Sequence, residues 1–268
     1  MTEKNNTDRT KFPPVRPGHP GGHRGTGGEI SALILAAGLG TRFKPWTAKH
    51  PKALALVNGK TLLQRNVEYL QQYDIYNVVV NVHHFADQVR DIINENNGWG
   101  SSITISNEKN ELLETGGGML KAKKLLNKSP FITLNVDVLT NLNLHILIEQ
   151  HQKKNALVTL AIADRSTTRF LLFDEQQNLC GWRNIKDDKI IEKISNPSPE
   201  YVQKAYSGIA VFQPEVFDHI PFTGKFSLID VFLHIAPLKK VFGCDHTVDK
   251  WVDVGRTESV AVAEELFT

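Results

Sequence analysis

Cysteine is almost missing from this chain: Cys180 and Cys244 are the only two in 268 residues. They stand at no metal-ligand spacing and make no disulfide framework, a usage that fits a reducing compartment. A charge excess of one sign is missing too. Lys and Arg number 31 against 29 Asp and Glu, a formal +2, so there is no global field of the kind that holds nucleic-acid phosphates. No apolar run is long enough to cross a bilayer, and no signal-peptide core follows the N-terminus. These absences point away from a stapled secreted domain, a nucleic-acid binder and a membrane protein, and toward a cytoplasmic globular chain. The 41% of hydrophobic residues supplies a core for one large domain or two small ones.

Residues 1–29 hold few apolar side chains. Pro, Gly, His and Arg dominate from Pro13 to Gly28, and such a stretch has too little to bury to offset its ordering entropy. It reads as a disordered tail, with His19, His23, Arg16 and Arg24 as part of a flexible leader rather than a metal or phosphate site. The ordered domain is expected over residues 30–268.

What is present from Ile30 onward alternates. Ser31–Ala37 is a short apolar run that ends at glycine and reads as a buried strand. Thr61 stands where it caps a helix carrying Leu62, Leu63, Val67 and Leu70 on one face. Tyr76–Val82 reads as a second buried strand, Phe85–Asn96 as an amphipathic helix, and Ser102–Ser106 as a strand. The cluster Gly116-Gly117-Gly118 opens a helix to Leu126, and Phe131–Val136 is a third buried strand ending at Asp137. Further along, Leu157–Ala163, Phe170–Asp174, Leu179–Trp182, Lys189–Lys193 and Ala205–Phe212 read as short strands. Phe226–Ile235 and Glu258–Phe267 read as helices, and there is no internal repeat. The pattern predicts an α/β fold: a doubly wound, mostly parallel, Rossmann-like sheet flanked by helices, with a small β-rich, lid-like subregion. In such sheets ligands bind beyond the carboxyl ends of the strands. The loop after Ala37, the residues after Val82 and Asp137 all fall there.

Gly38-Leu-Gly-Thr-Arg42 joins a buried strand to a polar segment. Glycine lets a backbone approach a polyphosphate, and Arg42 adds a permanent, planar phosphate donor. The loop is neither a Walker A loop nor the dinucleotide fingerprint, since the Gly-Lys-Ser/Thr ending and the third glycine are absent. A plain strand turn accounts for the glycines, but not for Arg42, Lys44 and Lys52 gathered around them. Read alone, Asp137 and Asp253 are as easily turn residues and Lys52 a solvated surface charge.

Leu33-Ile-Leu-Ala-Ala-Gly-Leu-Gly-Thr-Arg-Phe-Lys-Pro-Trp-Thr47, followed by Pro51-Lys52, resembles the signature of the sugar nucleotidyltransferase family, with Trp46 the obvious departure. Glu114-Thr-Gly-Gly-Gly118 resembles the family's second glycine loop. Asn135-Val-Asp-Val138 resembles its Asn-Gly-Asp element, with Val136 in the glycine's place. Tyr206-Ser-Gly208 resembles a sugar-contacting pair, and Trp251-Val-Asp-Val-Gly255 a Trp-x-Asp-x-Gly element, with Arg256 where relatives carry threonine. Glu192-Lys193 is similar to a Glu-Lys-Pro sugar element without its proline. The resemblance covers nearly all of residues 30–268.

The resemblance implies joining of an NTP and a sugar 1-phosphate to give an NDP-sugar and pyrophosphate. It implies a nucleotide site of Leu35, Ala36, Ala37, Gly38, Gly40, Thr41, Arg42, Glu114, Thr115, Gly116 and Gly117. It implies a sugar-phosphate site of Lys52, Asn135, Glu192, Ser207 and Gly208, and Mg²⁺ on Asp137 and Asp253. The chemistry suits these types. The attacking phosphate is already anionic, so cations and positioning carry the catalysis, not a general base. Arg42 would hold the β/γ-phosphates, and Lys52 would bridge the α-phosphate and the sugar phosphate. The short chain and the Glu114–Gly118 stretch most resemble the N-acetylmuramate (MurNAc) 1-phosphate uridylyltransferases and the related mannose-1-phosphate guanylyltransferases. UTP with an N-acetylated amino-sugar 1-phosphate is therefore the expected pair. GTP with mannose 1-phosphate, dTTP with glucose 1-phosphate, and a silent NDP-sugar-binding subunit are the alternatives. No C-terminal β-helix is expected after the last helix, and the protein is expected to act as a monomer or small homo-oligomer, without a nucleic-acid or membrane partner. His83 and His84, at a strand end, read as structural histidines. Arg165 and Arg169 read as solvated charges ahead of the alternative, a carboxylate or phosphate partner, and Trp182 and Trp251 read as packing residues.

Overall fold

The structure, a computed structural model, describes residues 30–109, 111–187 and 189–268; the reading of residues 1–29 as a disordered tail lies outside them. The first apolar run forms β1 (Ser31–Leu35), followed by a small hairpin of β2 (Leu56–Val57) and β3 (Lys60–Thr61). Helix α1 (Leu62–Gln71) begins where Thr61 accepts a 3.0 Å hydrogen bond from the Gln64 amide, the expected cap. Then come β4 (Asn77–Val82), α2 (Ala86–Glu95), β5 (Ser102–Asn107), α3 (Glu114–Lys121), α4 (Lys123–Leu126), β6 (Phe131–Asn135), β7 (Val138–Thr140) and α5 (Leu144–Lys153). The second half holds β8 (Val158–Ala163), β9 (Arg169–Phe173), β10 (Leu179–Lys186), β11 (Lys189–Ile194), β12 (Val202–Phe212), α6 (Leu228–Ile235), β13 (Val241–Asp245), β14 (Trp251–Asp253) and α7 (Glu258–Leu266).

Ten strands make one mixed sheet in the order β11-β10-β9-β12-β6-β1-β4-β5, with β8 and then β13 branching from β12. The β6-β1-β4-β5 part is parallel throughout, and β13 lies parallel to β8. Strand β12 is antiparallel to all its neighbours. Its C-terminal end pairs with β6, Ile209 opposite Leu134, whereas its N-terminal end pairs with β9, Val202 opposite Phe173. The ribbon β9-β10-β11 is thereby carried past the carboxyl end of β6, where ligands bind in open α/β sheets.

Apolar layers cover both faces. Ile34, Val80, Leu134 and Val211 face α1, α2, α5 and α7. Leu33, Phe131, Phe212 and Ile162 face α3, α4 and α6, with Met119 and Phe232 packed among them. Three elements differ from the sequence reading. Gly116, Gly117 and Gly118 lie inside α3 rather than at its start, because the helix already begins at Glu114, and it breaks at Ala122 instead of running unbroken to Leu126. Strand β10 runs on through Asn184 to Lys186, held by β9 and β11 on its two sides. Helix α5 carries no clean apolar stripe, since its buried positions are Leu144, Leu147 and His151.

Candidate active site

Asp137 and Asp253 are far apart in sequence and meet through a two-stranded ladder. Strand β7 starts one residue after Asp137, and β14 lies antiparallel to it with Asp253 opposite Val138. The Val254 amide donates 2.8 Å to the Asp137 carbonyl, closing the pair. Lys52 sits on a single helical turn of residues 52–54, anchored by buried Ala53 and Leu54, and its ammonium donates to Asp137 Oδ2. Both side chains are largely withdrawn from water, at 13% and 16% exposure. Gly40 makes this approach possible. Its φ of +60° is left-handed, and a Cβ there would lie 3.2 Å from the Lys52 Cβ and 2.8 Å from Thr47 Cγ2.

Asp253 is half-buried, and its Oδ1, shielded from solvent, has no hydrogen-bond partner among the described residues. Burial pushes its carboxyl above the usual range, and the neighbouring Asp137 charge adds to this; Lys52, Arg42 and Arg165 oppose it. Gly255 keeps the space beside it open, for a Cβ there would stand 2.6 Å from Asp253 Oδ1 and 3.0 Å from an Arg42 nitrogen. Three cations and two carboxylates therefore converge at the carboxyl ends of β1 and β6.

The loop after β1 divides in two. Gly38, Leu39, Thr41 and Arg42 are exposed. The amides of Ala36 and Ala37, by contrast, both donate to Asn81 Oδ1, at 2.6 and 3.3 Å, and the Leu35 carbonyl accepts from Val136. Asn81 in turn donates 2.7 Å to Glu108 Oε1, and Glu108 Oε2 accepts 3.1 Å from the Leu113 amide just before α3. Glu108 is fully buried, and desolvation raises its carboxyl despite these donors. This bridge couples the β1 loop to the start of α3. It also explains Gly118, where a Cβ would fall 2.6 Å from both Asn81 Nδ2 and Glu108 Oε1.

Glu114, at φ +60°, opens α3 and lies 3.4 Å from Lys225. Thr115 accepts 2.9 Å from the Leu228 amide, and the Gly116 and Gly117 amides both donate to the Phe226 carbonyl. The glycines of α3 thus admit the segment before α6, since Cβ atoms there would strike Phe226 and the Gly224 carbonyl. On the other side, Gly208 at φ +81° leaves room for Asn135 at the end of β6. The buried Ser207 hydroxyl is bound to His246 Nε2 at 2.7 Å.

A match to the nucleotidyl transferase family spans residues 31–268. The chain belongs to that family. It is 31% identical over 239 residues to the N-acetylmuramate alpha-1-phosphate uridylyltransferase of Caulobacter vibrioides, covering 87% of this chain and 95% of that one. It is 29% identical to the mannose-1-phosphate guanylyltransferase catalytic subunit beta of Drosophila pseudoobscura pseudoobscura, over 86% of this chain and 60% of that protein. In fold it matches HddC from Yersinia pseudotuberculosis, solved with GMP-PN, at a TM-score of 0.70 and 24% identity, over 89% of this chain and all of that one. The activity is transfer of a nucleotidyl group to a sugar 1-phosphate.

Within this transferase, Arg42, Lys52, Asp137 and Asp253 come together, and Asn135 and Gly208 abut one another close by. Glu192 does not join them. It lies on the exposed edge strand β11, and its carboxylate is paired with Arg183 at 2.5 Å. Arg165, read from sequence as a solvated charge, is instead stacked 4.0 Å over the Trp251 ring and donates 2.7 Å to the Tyr206 carbonyl. Its Nε is buried without a partner among the described residues, so Arg165 is a partly buried cation acting on Asp253, where the sequence reading favours a solvated charge. Sequence reasoning missed Asn81 and Glu108; a polar residue closing the apolar run Val78-Val79-Val80 was the available signal. His83 is structural as expected, its Nδ1 2.8 Å from the Glu108 carbonyl. Both cysteines are free and buried, and none of the described helices is long and apolar enough to cross a membrane. A hollow of about 410 Å³ lies between α5 and the β9–β10 turn and is lined by Gln150, Lys154, Glu175 and Gln177. It lies apart from these buried charges, which locate the site better than volume does.

Proposed function

We propose that the enzyme transfers a uridylyl group from UTP to N-acetylmuramate 1-phosphate, or a closely similar N-acetylated amino-sugar 1-phosphate, in the cytoplasm and with Mg²⁺. The observation that carries the chemistry is the Lys52–Asp137 pair beside the buried, unpartnered Asp253 oxygen. Two adjacent carboxylates repel, and one of them keeps an oxygen that no protein donor satisfies, which is the donor chemistry of a hard cation. No third Asp, Glu, His or Cys joins them among the described residues. That fits Mg²⁺, which takes few protein ligands and keeps water and substrate phosphates. When bound, the ion neutralises charge on the phosphates.

The chain's own residues do the rest. The exposed Gly38–Arg42 loop receives the triphosphate, with Arg42 on the departing pyrophosphate. Lys52 lies on the carboxylate side of this loop and meets the incoming sugar phosphate, offsetting the repulsion between two anions. Burial of Lys52 and Asp137 strengthens each charge there by excluding water. The choice of UTP over GTP follows the 31%-identical relative, which matches this chain over nearly its whole length. GTP with a mannose-type phosphate is the second reading, favoured by the 29%-identical guanylyltransferase.

Pyrophosphate release is the test, over a grid of UTP, GTP, dTTP, ATP and CTP against MurNAc-, GlcNAc-, glucose- and mannose-1-phosphate, with and without Mg²⁺. Preference for UTP and MurNAc-1-phosphate is expected. Preference for GTP and mannose 1-phosphate would replace the first reading with the second. Asp137→Asn and Asp253→Asn should each raise the Mg²⁺ concentration needed for half-maximal rate; unchanged magnesium titrations in both would remove the metal assignment.

A further inference from the structure

Ribbon β9-β10-β11 faces the first turn of α6 across a hollow of about 250 Å³. Register sorts its side chains. Trp182 pairs with Leu171 and Lys193, and Asn184 with Arg169 and Ile191. Side chains at paired positions share a face, so Arg169, Trp182, Asn184 and Lys193 all point into the hollow. Arg183 and Glu192, one residue away on each strand, point out of the other face and neutralise each other. On the hollow's own face the two cations have no carboxylate partner among the described residues. Asp230 also lines the wall, but its carboxylate is held by the Ser227 amide at 3.0 Å and hydroxyl at 2.7 Å in a capping box.

The hollow also stands in the right place. Its α6 wall is joined to α3 by the Leu228–Thr115 hydrogen bond, beside Gly116 and Gly117. The last pair of the β9–β12 ladder is Leu171 with Lys204, two residues before Tyr206 and four before Gly208. The hollow therefore adjoins both α3 and the part of β12 that leads to Ser207 and Gly208.

We infer that this hollow takes the acceptor sugar and that Arg169 and Lys193 select an acceptor carrying a carboxylate. The inference rests on the proposed sugar 1-phosphate acceptor and narrows it to an acidic sugar. A guanidinium fork grips a carboxylate through two parallel hydrogen bonds, and a nearby ammonium adds a point charge. Trp182 offers an apolar face to the sugar ring, and Asn184 offers an amide to its hydroxyl or acetamido groups.

The test compares kcat/KM for MurNAc-1-phosphate, which bears a carboxylate, with GlcNAc-1-phosphate, which does not. Arg169→Ala and Lys193→Ala should each lower kcat/KM for the acidic sugar about tenfold, through KM, as expected for losing one charged hydrogen bond. The neutral sugar and the KM for UTP should stay near wild type. Arg183→Gln, on the same ribbon but the opposite face, should leave the ratio of the two sugars unchanged. Equal losses for both sugars, or no loss for MurNAc-1-phosphate in a wild type that uses it, would overturn acid selection while leaving the proposed function intact. A wild type that rejects MurNAc-1-phosphate but uses GlcNAc-1-phosphate would overturn acid selection alone, and one that uses neither would overturn the proposed function as well.

Discussion

Asn81 and Glu108, in the parallel half of the sheet, are 2% and 0% exposed and satisfied by one another and by three backbone amides. On β11, at the other end of the same sheet, every described residue is exposed, and Ile190 and Ile191 reach 63% and 56%. The difference separates two tasks. Where phosphates and cations must be held to a fraction of an ångström, polar groups are buried and bonded, so that no solvent reorganises as charge moves. Where a sugar has to be admitted and told from others, the cations Arg169 and Lys193 stand in the open on a two-sided ribbon. A buried bridge tolerates almost no substitution, whereas an exposed ribbon accepts many and changes preference as it does so.

That contrast breaks down if the buried half proves tolerant. Lys52→Ala should show the largest effect, a fall in kcat of about 10²–10³-fold, the scale of removing one charge-stabilising donor. The NTP dissociation constant should stay near wild type by calorimetry, and wild-type-like turnover would remove the bridging role of Lys52.

His151 tests the framework behind both tasks. It is fully buried between α5 and the sheet, with Nδ1 2.9 Å from Thr159 Oγ1 and Nε2 facing the Gln213 amide at 3.0 Å. Burial lowers its pKa from 6.5 to about 4. The fold therefore prefers neutral imidazole, and the stability that this supplies is complete above pH 6.5. It is lost progressively as pH falls from 6.5 to about 4, by up to ~3 kcal/mol. Denaturant unfolding of wild type and His151→Gln across that range should show the steeper acid loss in wild type.

Gly118→Ala pushes a methyl into the Asn81–Glu108 bridge. A loss of about 1–3 kcal/mol is expected, read as a lower Tm together with a raised KM for UTP. Ile190→Thr on β11 should shift stability by no more than about 0.5 kcal/mol, as for other exposed positions. A large Tm change there would mean that β11 is covered in solution.

Sequence patterning made most of the parallel half legible, because its strands are buried on both faces and read as continuous apolar runs such as Val78-Val79-Val80. Arg42, Lys52, Asp137 and Asp253 were legible only through spacing and resemblance; nothing local says that two aspartates so far apart meet across the β7–β14 ladder. Helix α5 was hidden because a buried histidine fills one turn of its inner stripe. The Gly116–Gly118 run read as the opening of a helix rather than its interior, since glycine is a poor helix former; here the need to seat Phe226 and the Asn81–Glu108 bridge overrides that preference. Glu192 was misplaced by the period of a strand: a one-residue offset sends a side chain to the opposite face. Lys193, its neighbour, lies on the face that lines the hollow.

Strand β11 closes one end of the sheet, and among the described residues nothing pairs with its outer edge. Its sequence Lys189-Ile-Ile-Glu-Lys-Ile194 alternates little and would adhere to another such strand but for its three charges. Those charges act as gatekeepers against edge-to-edge aggregation. Lys193 therefore carries two duties, and replacing it with a neutral residue should shorten the shelf life of concentrated protein as well as change which sugar is used.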